Sequence, residues 1–269
     1  MTDPILELRD AALGYGNRTL WSHLNLSVGP GEFLAVLGAN GSGKTSLLQT
    51  ILGLQRLTSG EVLVGGQPAR RGSELIGYVP QQRRIDPQTP LRARDVVGQG
   101  IDGHRWGIGR PSRARRAQLD AALASVGASA YADLPVGVLS GGEQQRIRMA
   151  QALAADPQLL LCDEALLSLD LNHQAAVTAL VDRRRRTAGT AIVFVSHEIN
   201  PILPYVDRVL YLAGGRFRIG TVEEVMTSET LSALYGMQVE VLHSHGRIVV
   251  AGIPDVHVHS HDHDEVSLS

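Results

Sequence analysis

The chain reads as an α/β protein: a parallel sheet covered on both faces, an antiparallel β piece ahead of it, and a helical insertion. Three observations predict this. A glycine-rich loop, Gly38 to Ser46, joins an apolar run (Phe33 to Leu37) to a pattern in which Leu47, Leu48, Ile51 and Leu52 recur at helical spacing. Short, continuous apolar runs at Leu159 to Cys162 and Ala191 to Val195 are separated by a helical segment, as in strands buried on two faces. Between these regions, from about Gln81 to Gln151, prolines and helical periodicity replace the strand pattern.

Taken in order, residues 5 to 34 hold short runs such as Ile5 to Leu8 and Leu24 to Val28, broken by Gly14, Gly16, Gly29, Pro30 and Gly31. They predict antiparallel strands with tight turns. After the glycine-rich loop and its helix, Gly53 marks the helix end. A strand pair is expected at Glu61 to Val64 with a Gly65-Gly66 turn, and then Ile76 to Pro80. The insertion holds Pro87, Pro90, Pro111 and the arginine-rich stretch Arg110 to Arg116, followed by an amphipathic run with Leu119, Ala122, Leu123 and Val126. The arginines read as a solvated helix face or a contact surface. Arg183 to Arg186 ends the helix between the two apolar runs, where cations suit the negative end of the dipole. From Thr221 a helix-like piece and a short β piece follow, and the polar stretch from Asp255 to Ser269 closes the chain.

With 269 residues, a formal charge of -2, 43% hydrophobic and 19% charged residues, the composition is that of an ordinary globular protein. It lacks the basic excess of a dedicated nucleic-acid binder, so no nucleic-acid partner is expected. Every apolar run falls far short of the roughly 20 residues of a membrane-spanning helix, and Met1 to Pro4 does not read as the start of a signal peptide. If the protein works at a membrane, other chains supply the span. Cys162 is the only cysteine, which excludes an internal disulfide and predicts a small buried hydrophobe in a cytosolic protein.

The chemistry starts at Gly38-Ala39-Asn40-Gly41-Ser42-Gly43-Lys44-Thr45-Ser46, which fits the phosphate-loop pattern G-x-x-x-x-G-K-[ST]. Closely spaced glycines let backbone N–H groups converge on an anion, and the following helix adds its positive end. Of the 25 basic side chains, Lys44 is the only lysine. A composition that otherwise uses arginine keeps the compact ammonium where a guanidinium fork would crowd a phosphate. The apolar run Leu160 to Cys162 ends in Asp163-Glu164, paired acids able to hold Mg²⁺ with one carboxylate and orient water with the other. Leu139-Ser140-Gly141-Gly142-Glu143 opens a helix with S-x-x-E capping-box spacing. Capping leaves the two glycines unexplained, because each costs about 1 kcal/mol in a helix unless something must approach the backbone closely.

In this order the motifs resemble those of the ATP-binding subunit of ABC transporters, over about residues 5 to 220. The resemblance implies a P-loop NTPase (RecA-like) core with an antiparallel β subdomain and an inserted α-helical subdomain at about 82–151. The ATP-binding domain is then expected at 1–220 and a C-terminal extension at 221–254, while composition alone marks 255–269 as a His/Asp-rich tail expected to be disordered. Tyr15 matches the aromatic that stacks on adenine, or is a packed turn tyrosine. Gln81 matches the glutamine that reaches Mg²⁺ and the water, with Gln82 as the rival assignment. Thr45 and Asp163 would hold Mg²⁺, Glu164 would be the catalytic base, and His197 would be the switch histidine at the γ-phosphate. Ser168-Leu169-Asp170 matches the loop that crosses a dimer interface. One departure is visible: Ala165-Leu166 stands where the family commonly has proline followed by threonine or leucine. The implied assembly is a homodimer enclosing two ATPs, each between one chain's phosphate loop and the other's Ser140 to Gly142. It would sit on the cytoplasmic face of a membrane against permease subunits, through a surface near Gln81 to Arg105.

The segments Ile76 to Val97, Asp102 to Gly107 and Ser196 to Arg208 resemble members that serve zinc, manganese or iron-chelate importers, which implies an extracytoplasmic metal-binding protein as a further partner. In the tail, His257, His259, His261 and His263 alternate with small or acidic residues, a composition that suits zinc or is simply solvated. Other cargoes, such as a siderophore or an amino acid, and a non-transport ABC protein remain alternatives.

Overall fold

The computed structural model describes residues 3–16, 18–81, 86, 89–102, 112–167 and 169–252. In chain order, β1 (Leu6–Tyr15) and β2 (Arg18–Val28) precede β3 (Phe33–Gly38) and α1 (Lys44–Ile51). Then come β4 (Ser59–Val64), β5 (Gln67–Pro68), β6 (Ile76–Val79), α2 (Ala93–Asp102), α3 (Arg113–Ser125) and α4 (Gly141–Leu153). The chain continues through β7 (Leu159–Asp163), α5 (Leu171–Ala188), β8 (Ala191–Val195), β9 (Arg208–Ala213) and β10 (Arg216–Gly220). It closes with α6 (Val222–Val225), α7 (Ser228–Tyr235), β11 (Glu240–Ser244) and β12 (Arg247–Ala251).

The central sheet has the order β10-β9-β3-β8-β7-β6. Strands β9, β3, β8, β7 and β6 run parallel, and β10 is an antiparallel edge on β9. Successive side chains of a strand leave opposite faces, and the parallel strands divide accordingly between two cores. Leu34, Val36, Leu159, Leu161, Val193 and Val195 pack with α1 and the antiparallel strands. Phe33, Ala35, Leu160, Cys162, Ile192 and Phe194 pack toward α2, α3 and α4. Phe33 stacks on Phe194 with ring centroids 5.7 Å apart. Cys162 is fully buried, which pushes its thiol well above the usual range and leaves it unreactive.

The second sheet is antiparallel, in the order β2-β1-β4-β5. Here the structure refines the expected pairing: the Gly65-Gly66 turn returns only the two-residue β5, with Leu63 opposite Pro68. The stretch from Ile76 instead crosses to the outer edge of the central sheet, where Ile76 to Val79 pair with Leu159 to Cys162. That crossing carries the chain from the antiparallel sheet to the active edge.

In α3, Leu119, Ala122 and Leu123 face the core while Arg113 and Arg116 stay exposed, and Ser112 caps the helix by accepting from Arg115 N at 3.1 Å. The arginine run of α5 is structural. Arg185 reaches Asp182 and Asp207, both at 2.7 Å, and Gly31 O at 3.0 Å, while Arg184 engages Asp156 and Thr190. Beyond the sheet, Val241 N of the β11–β12 hairpin donates to Ser228 Oγ at 2.9 Å, and Asn200 clasps the other strand with its amide. Asn200 Nδ2 donates to Ile248 O at 2.9 Å and Ile248 N donates to Asn200 Oδ1 at 2.8 Å. No helix among the described residues is long and apolar enough to cross a membrane.

Candidate active site

The parallel strands bring their C-terminal ends to one edge, the place where open α/β sheets bind ligands. Gly38 ends β3, Asp163 ends β7, Ser196 and His197 follow β8, and Gln81 follows β6. The order of β3, β8, β7 and β6 therefore sets loop, histidine, acids and glutamine side by side.

Lys44 is only 6% exposed. Its Nζ donates to Gly38 O at 2.6 Å and Ala39 O at 3.0 Å, folding the loop around the ammonium. Burial holds its pKa below the ordinary lysine value, against the opposing pull of Glu164 and Asp163. Asp163 is 5% exposed, and burial pushes its carboxyl up. Tyr78 counters this by donating from Oη to Asp163 Oδ2 at 3.2 Å, Glu164 pushes the carboxyl further up, and Lys44 draws it down. The Tyr78 hydroxyl is itself pushed up to about 12, by burial first and then by Asp163. Cation and carboxylate are thus brought together at the expense of their hydration, an arrangement that a polyphosphate with a divalent cation would relieve.

Several features test the fit of those groups. The Ser42 hydroxyl is buried without a hydrogen-bond partner. Gly38 and Gly43 adopt left-handed φ of +140° and +100°; a side-chain carbon at Gly43 would meet Trp21 Nε1 at 3.0 Å, and one at Gly38 would strike Leu212 O. These positions therefore admit only glycine, and the loop brings an orphan hydroxyl and an ammonium together beside Asn40 and Gly41, which are open to solvent, as a cradle for phosphate needs. Thr45 is exposed on the first turn of α1, and with the Asp163 carboxylate it offers the hard oxygen donors that Mg²⁺ takes.

Gln81 Nε2 donates to Glu164 Oε2 at 2.9 Å. Glu164 has a φ of 47°, uncommon for a residue with a side chain. Its backbone is pinned there, with N donating to Val195 O at 3.0 Å and O accepting from Leu167 N at 3.0 Å. Next door, the buried Gln145 of α4 donates to Ala165 O at 2.9 Å and ties that helix to the acid loop. His197 is exposed, in a turn shaped by Ser196, whose Oγ donates to Glu198 O at 2.6 Å and accepts from Glu198 N at 3.1 Å. Tyr15 is half-exposed, with Oη 3.5 Å from Ser46 Oγ.

A second cluster lies at the N-termini of α4 and α5. Ser140 and Glu143 form a complete capping box, which on its own would leave the adjacent glycines without a purpose. The structure supplies one for Gly142: the imidazole of His173 occupies the space a side chain there would need. Asp170 caps α5 by accepting from His173 N at 2.9 Å and also bonds His173 Nδ1 at 2.7 Å. His173 therefore joins the Ser140 to Gly142 start of α4 to Asp170.

Sequence reasoning missed Tyr78, Arg18 and His173. Tyr78 had a signal in its position on the strand before Gln81. Arg18, which donates to Gly41 O of the loop at 3.0 Å, and His173 had none, because their partners lie 23 and 31 residues away or are reached only through folding. Ser168, Gln82, the stretch from Gly103 and the tail histidines His257, His259, His261 and His263 lie outside the described residues. Among the described residues no group of three or more His, Cys, Asp or Glu is placed to hold a metal ion.

A glycine-lined anion cradle with a buried lysine, beside two acids at the ends of parallel strands, defines the class of P-loop nucleoside triphosphatases. Known proteins resolve it further. The ABC transporter family matches residues 21–167. The zinc import ATP-binding protein ZnuC of Roseobacter denitrificans is 34% identical over 232 residues, covering 86% of this chain and 84% of its own. The manganese transport system ATP-binding protein MntB of Halalkalibacterium halodurans is 31% identical over 233 residues, 87% of this chain and 92% of its own. A solved inward-facing structure described as a metal-chelate type ABC transporter superposes with a TM-score of 0.78 at 27% identity, covering 92% of this chain and 96% of that one. The chain belongs to the ABC transporter family. It is an ATP-binding and ATP-hydrolysing subunit, of the kind that works with membrane permease partners.

Proposed function

We propose that this subunit powers uptake of a divalent metal ion, zinc or manganese, as a homodimer bound to the cytoplasmic face of a separate permease that an extracytoplasmic metal-binding protein supplies. The observation that carries the cargo is that the relatives above are named for zinc and manganese import or transport, with likeness extending over more than four-fifths of both chains.

In this reading the loop from Gly38 to Ser46 holds the phosphates of ATP, with Asn40, Gly41, Ser42 and Gly43 lining the cradle and Lys44 neutralising charge on the transferring phosphoryl group. Tyr15 stacks on the adenine. Thr45, Asp163 and Gln81 would hold Mg²⁺, which supplies further neutralisation of phosphate charge when bound. Glu164 accepts the proton of the attacking water, positioned by the hydrogen bond from Gln81. His197 contacts the γ-phosphate. Ser140, Gly141, Gly142 and Asp170 face the nucleotide held by the other copy, so one chain carries two incomplete halves of two sites. Closure around ATP and reopening after hydrolysis drive the permease.

The test is metal uptake into vesicles containing the permease with this subunit. Radioactive zinc or manganese should accumulate with ATP and fail to do so with Glu164→Gln. Accumulation of a ferric chelate in place of both ions would instead support the second reading, which the metal-chelate type neighbour favours.

A further inference from the structure

The imidazole of His173, on the first turn of α5, touches two motifs at once. On one side its Nδ1 is 2.7 Å from Asp170 Oδ2, while the same aspartate accepts from its backbone N at 2.9 Å. Cap and ring are thus fixed by one carboxylate. On the other side the ring lies over the start of α4: a side-chain carbon at Gly142 would fall 2.5 Å from His173 Nε2, and closer still to Cδ2. With the ring in place, only glycine fits. The helix therefore carries a residue with poorer helix propensity than alanine, in return for contact with a histidine from another element. The ring is 42% exposed, so it does little for the core.

We propose that His173 is a positioning residue, a strut that joins the Asp170 loop to the Gly142 end of α4 so that both reach the opposite copy's nucleotide as one rigid surface. This rests on the shared-site reading above. Without the ring, Asp170 keeps the backbone bond that caps α5 but loses the one that aims its carboxylate, and the two segments become free to shift independently. The loss falls on assembly rather than on folding.

The experiment uses the full chain carrying Glu164→Gln, with Mg²⁺ and ATP, and reads the ATP concentration at half-maximal dimerisation alongside melting of the nucleotide-free chain. Adding His173→Ala should raise that concentration about tenfold, the effect of one hydrogen bond to a charged group. Melting should stay nearly unchanged. His173→Asn, whose amide can donate to Asp170 from a similar position, should recover most of the loss. An unchanged ATP requirement overturns the strut, and so does a loss that tracks a fall in melting temperature and is not recovered by asparagine. Gly142→Ala, read only by melting, should destabilise the chain with His173 present and not with alanine there; equal effects in both backgrounds overturn the contact. If the Glu164→Gln parent itself stays monomeric, the shared-site reading fails and the strut falls with it, an outcome distinct from failure of His173→Ala alone.

Discussion

Gln81 Nε2 and Glu164 Oε2 meet at 2.9 Å, joining the end of β6 to the end of its neighbour β7. The glutamine reaches this position because the chain leaves the antiparallel sheet after β5 and β6 pairs along β7 in the central sheet. The bond aims the carboxylate that is proposed to take the proton from water. Gln81→Ala should therefore lower kcat for ATP hydrolysis about 100-fold, within the usual range for a general-base arrangement, with a much smaller change in KM. Steady-state kinetics decide; a raised KM with kcat unchanged would mean that Gln81 serves binding rather than chemistry.

Tyr78 donates to Asp163 at 3.2 Å and draws down a carboxyl that burial has pushed up. Tyr78→Phe removes that bond, so the Asp163 pKa rises further. The acid limb of the ATPase pH profile should move to higher pH, and half-saturation by Mg²⁺ should require several-fold more metal. Stability carries the opposite sign from that of a salt-bridged carboxylate. A raised folded-state pKa means the native chain holds this proton more tightly than the unfolded one, so stability is lost as pH climbs from the usual carboxylate range through the raised value. Asp163→Asn should abolish that loss and raise the nucleotide-free melting temperature above the parent's at neutral pH, while removing activity.

Glu164 sits at φ 47°. Glycine visits this region without penalty, and a residue with a Cβ pays on the order of 1 kcal/mol there. Among inactive variants, Glu164→Gly should be more stable than Glu164→Ala by about 1 kcal/mol, the reverse of the usual order for an exposed loop. Urea denaturation at equilibrium measures the difference. An alanine variant as stable as the glycine one would mean that the backbone relaxes.

Asn200 holds the β11–β12 hairpin through its two bonds to Ile248. Asn200→Ala should speed amide hydrogen exchange at Ile248 by at least tenfold, in line with about 1.5 kcal/mol for the loss of a hydrogen-bonded pair. Exchange within β3 and β8 should not change.

Much of this architecture is legible in the chain itself. The loop from Gly38 to Ser46 and the acids Asp163 and Glu164 are local patterns, and the parallel strands announce themselves as continuous apolar runs because both their faces are covered. The capping box at Ser140 and Glu143 is likewise a matter of spacing. What the chain concealed is contact made by folding. The crossing of Ile76 to Val79 depends on which sheet edge is open, and two glycines before it point only to a turn. His173 carries no local sign of its role, since its partner Gly142 stands on another helix and becomes its neighbour only when α4 and α5 start side by side. The notion that something must approach Gly142 closely could be reached from helix propensity alone; the identity of that group could not.

The claim on which the rest depends is that ATP is held between two copies, the cradle of Lys44 on one and the Ser140 to Gly142 turn on the other. The direct measurement is the solution mass of the Glu164→Gln chain with Mg²⁺ and ATP, beside the same chain without nucleotide and a Lys44→Ala control. The account predicts a doubling of mass that needs ATP and is lost with Lys44→Ala. A mass that stays at one chain with saturating ATP, in the presence of the permease as well as in its absence, would contradict it.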